Sequence, residues 1–77
     1  METITAKLDR LYGDVTVARE AEDRAYHAMR CELPGLGIIV MERLAPEQRR
    51  VVDEHRVAYE HRRALEQERR DLVEATT

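Results

Sequence analysis

Two long segments of this chain carry apolar residues at helical spacing, and a short, strongly apolar stretch separates them. In the first, Ile4, Leu8, Leu11, Val15, Ala18, Ala25 and Met29 follow alternating steps of four and three, interrupted only by Glu22. At about 100° per residue these positions fall within roughly 100° of arc, the width of one buried helical stripe. The spacing predicts a helix from about residue 3 to about residue 31. Gly13 lies inside it and costs about 1 kcal/mol relative to alanine. The stripe keeps its phase across the glycine, so one helix is expected rather than two.

The second segment has no internal glycine or proline and repeats an apolar residue every seven positions, at Val51, Ala58, Leu65 and Leu72. The alternate seam positions are polar: Glu54 or His55, His61 or Arg62, and Glu68 or Arg69. Val52, Tyr59 and Val73 widen the stripe on one flank, and Val57, Ala64 and Ala75 widen it on the other. A helix is predicted from Pro46 to about residue 75. Proline suits the first helical position, where its missing N–H costs nothing, and Glu47 favours the positive end of the helix dipole.

Residues 32–45 form the connection. They hold the turn signal Pro34-Gly35, then the run Leu36-Gly37-Ile38-Ile39-Val40-Met41, and close with Leu44-Ala45. A glycine here ends the first helix, and the stretch from Ile38 to Leu44 has room for a short helix. An apolar connection is unusual, because loops run over the surface. The expected fold is therefore all-α: one domain over residues 1–77, an antiparallel hairpin of two long helices with an apolar connection, associating into a helical bundle.

Composition sharpens this in one respect. A chain of 77 residues without Phe or Trp, and with a single cysteine, can build only a small core and no internal disulfide. Self-association, as a homodimer, is the expected route to stability. The lone cysteine fits a reducing compartment, and the N-terminus lacks the basic and apolar regions of a signal peptide. Nor is any segment long and apolar enough to span a membrane. Cytoplasmic location is expected. The net charge of −3 argues against non-specific binding to nucleic acid.

The chemistry-bearing residues form no motif that specifies a catalytic centre, a cofactor or a family. Asp23, His27 and Cys31 are spaced four apart, as an orienter, base and nucleophile would be, but they project away from the seam without visible oxyanion donors. His55 and His61 are six apart, so on a helix they diverge by about 120°, and no Cys-x-x-Cys or His-Glu-x-x-His spacing is present. No metal ligand is assigned. Arg49, Arg56, Arg63 and Arg70 form a column whose i+4 neighbours are Asp53, Glu60, Gln67 and Glu74. That pattern reads as a locally neutralised, solvated face rather than a phosphate-tracking surface, and no aromatic residues interleave it for base stacking.

Two sets of residues remain as candidate sites. The polar seam residues Glu22, His55, Arg62 and Arg69 are expected to fix register and partner choice. In a hairpin closing around residues 33–46, Glu22 falls opposite His55, while Arg62 and Arg69 approach Asp14 and Asp9. The second set, Leu33, Leu36, Ile38, Ile39, Val40, Met41 and Leu44, is a candidate partner-binding tip. The function expected is non-enzymatic: a protein–protein interaction module serving as adaptor, chaperone or inhibitor of a larger assembly. The alternatives are a nucleic-acid-associated regulator using the Arg-rich last helix and a helical metal-binding protein using His55 and His61.

Overall fold

The computed structural model describes residues 2–33 and 43–76. They form two helices, α1 (Ile4–Glu32) and α2 (Pro46–Thr76), packed side by side. The all-α helical hairpin and both predicted helices are present, and α1 runs unbroken through Gly13.

Each helix begins at a recognisable local device. Thr3 caps α1: its backbone is extended, at φ −72° and ψ 160°, and its hydroxyl accepts from the Ala6 N–H at 3.1 Å. This satisfies one of the donors that a helix N-terminus leaves unpaired. At the other end of α1 the Leu33 N–H donates to the Met29 carbonyl at 2.9 Å. In α2, Pro46 takes the first helical position and Gln48 reaches back, its Oε1 accepting from the Ala45 N–H at 3.0 Å. This is half of a capping box. The Gln48 amide also points its Nε2 at the Glu32 carbonyl, 3.4 Å away. One side chain thus ties the start of α2 to the end of α1.

The core lies where the predicted stripes meet. Leu11, Val15 and Ala18 of α1, Leu33 just beyond it, and Val51 of α2 are at most 4% exposed. Leu8, Ala25 and Met29 are half-buried, as are Ala58, Leu65 and Leu72. Ile4, expected in the stripe, is 53% exposed. Ile4 is the first residue of α1, at the end of the hairpin away from the connection, where α2 also runs out at Thr76. The molecule is long and thin, 49 × 20 × 17 Å.

Candidate interaction site

Four charged side chains, two from each helix, clasp the middle of the hairpin. Arg19 and Glu22 sit one turn apart on α1, and Arg62 and Glu66 one turn apart on α2. Arg62 pairs with Glu22 through Nε and reaches Glu66 with Nη1 at 2.9 Å. Arg19 closes the set, its Nη2 donating to Glu66 Oε1 at 2.8 Å. The charges alternate, so each carboxylate is flanked by guanidinium and no like charges touch. The Glu22, Arg62 and Glu66 side chains are only 16–20% exposed, which limits solvent screening and makes these bonds worth more than surface ion pairs. Hydrogen bonds from Arg19, with the attraction of Arg62, hold the Glu66 carboxyl below the ordinary carboxylate range despite its partial burial. Arg62 additionally lies over the Tyr59 ring, 5.3 Å from its centroid.

This clasp corrects the pairing expected from the sequence. Glu22 meets Arg62 rather than His55, Asp14 pairs within its own helix with Arg10 at 3.7 Å, and Arg69 is half-buried without an ion pair to Asp9. The reason is side-chain direction. Side chains lean towards the N-terminus of their own helix, so in an antiparallel pair Glu22 leans away from the connection and Arg62 leans back towards it. Long side chains therefore meet across Cα positions offset along the axis. His55 instead packs against Tyr26, with ring centroids 5.8 Å apart.

The clasp and the Tyr26–His55 contact lie on one side of the hairpin. On α1 that side is the column Tyr12, Arg19 and Tyr26, spaced by seven. Among the described residues, the other side has no such cover. There, Asp14, Val17, Ala18, Ala21, His61 and Leu65 line a hollow between the helices. A second hollow, nearer the connection, is lined by Leu44, Pro46, Val57, Ala58 and His61 with Arg49, Arg50, Asp53 and Glu54. His61 belongs to both. Val17 and Val57 project from the walls, 63% and 59% exposed, while the alanines between them leave the floor low. The sequence reading placed Val57 merely at the edge of the α2 stripe and missed Val17 and Ala21. Their signal was a second α1 column, Val17, Ala21 and Ala28, at steps of four and seven.

The remaining candidates fall as follows. Leu33 is buried beside the α1 terminus and Leu44 is half-buried, whereas Leu36, Ile38, Ile39, Val40 and Met41 lie outside the described residues. Asp23, His27 and Cys31 are all exposed. His55 and His61 belong to no cluster of three metal-donor side chains among the described residues. In the arginine column Arg56 pairs with Asp53 at 3.6 Å, one turn before it rather than after, and Arg63 donates to the Tyr59 hydroxyl at 3.1 Å. No described helix is long and apolar enough to cross a membrane.

Compared with known proteins, the chain matches no family model, no curated protein and no solved structure. The reading of its function therefore rests on the hairpin itself.

Proposed function

We propose that this chain is a non-enzymatic protein–protein interaction module, an adaptor, chaperone or inhibitor of a larger assembly, whose working surface is the uncovered side of the hairpin. The observation that carries this is the asymmetry between the two sides. One is sealed by the four-charge clasp and the Tyr26–His55 contact, and the other is a pair of hollows with exposed valines on their walls. An apolar helical groove is the surface onto which another helix docks, its side chains entering at i, i+3, i+4 and i+7. The rim charges, Asp14 at one end and Arg49 to Glu54 at the other, would set orientation and exclude wrong partners.

The test is capture from native lysate with tagged wild type, Val17→Glu and Tyr12→Glu. The proposal expects a stoichiometric partner, foreign or self, retained by wild type and Tyr12→Glu but lost by Val17→Glu. Equal capture by all three proteins, or loss only in Tyr12→Glu, would contradict it.

A further inference from the structure

We draw no further inference here: the strongest candidate, the pair of hollows between α1 and α2 on the side of the hairpin away from the clasp, is an unpartnered apolar face, and nothing in the structure shows what covers it.

Discussion

An added Cβ at Gly13 would meet nothing within 4 Å beyond its own stretch of helix backbone, and the residue lies well inside α1. Its backbone is helical and its neighbourhood open, so alanine there gains helix propensity and loses nothing. Gly13→Ala should stabilise the fold by about 0.5–1 kcal/mol, mainly by restricting the unfolded chain, and thermal melts should show a raised midpoint. Glu66 makes the opposite case. Its folded pKa is depressed below the reference of 4.5, first through its hydrogen bond from Arg19. The stability it contributes is present above that reference value and is lost as pH falls through the folded value. Glu66→Gln should therefore melt below wild type at pH 7, and the gap should narrow as pH falls below the reference value and close once it is below the folded one. A gap independent of pH would mean that Glu66 acts by packing, not by charge.

At the scale of elements, the helices and their seam were legible because a strict period survives in both segments. The stripe from Leu8 to Met29 needs no tertiary information, and Thr3 and Pro46 mark the helix starts on their own. The pairing of the helices was not legible to the same depth. It depends on the direction in which Glu22 and Arg62 lean and on how Gln48 fastens α2 to the Glu32 carbonyl, none of which appears in periodicity. A double-mutant cycle resolves it. Glu22→Gln with Arg62→Gln should show a coupling of about 1 kcal/mol or more, as for contacting charged groups. Glu22→Gln with His55→Gln should be additive to within about 0.5 kcal/mol. Coupling to His55 instead would restore the register in which those two residues face each other.

Across the whole molecule, the proposed function divides the work between the two sides of the hairpin. The sealed side fixes which residues of α1 and α2 oppose each other, and the open side presents the exposed Val17 and Val57. That division could not be read from the chain, since a seam count assigns each helix one face and leaves Val17 and Ala21 among the solvated positions. Only the placement of the clasp on the opposite flank singles out their column. The same division gives the most direct measurement of the account. In a Cys31→Ala background, single cysteines at positions 17 and 12 replace the exposed Val17 and Tyr12 on the open and sealed sides, and their labelling rates are followed with a soluble maleimide as the captured partner, foreign or self, is added. Val17→Cys should become protected as the partner binds while Tyr12→Cys reacts at an unchanged rate. Protection of Tyr12→Cys, with Val17→Cys labelled freely at every concentration, would place the working surface on the other side and contradict the account.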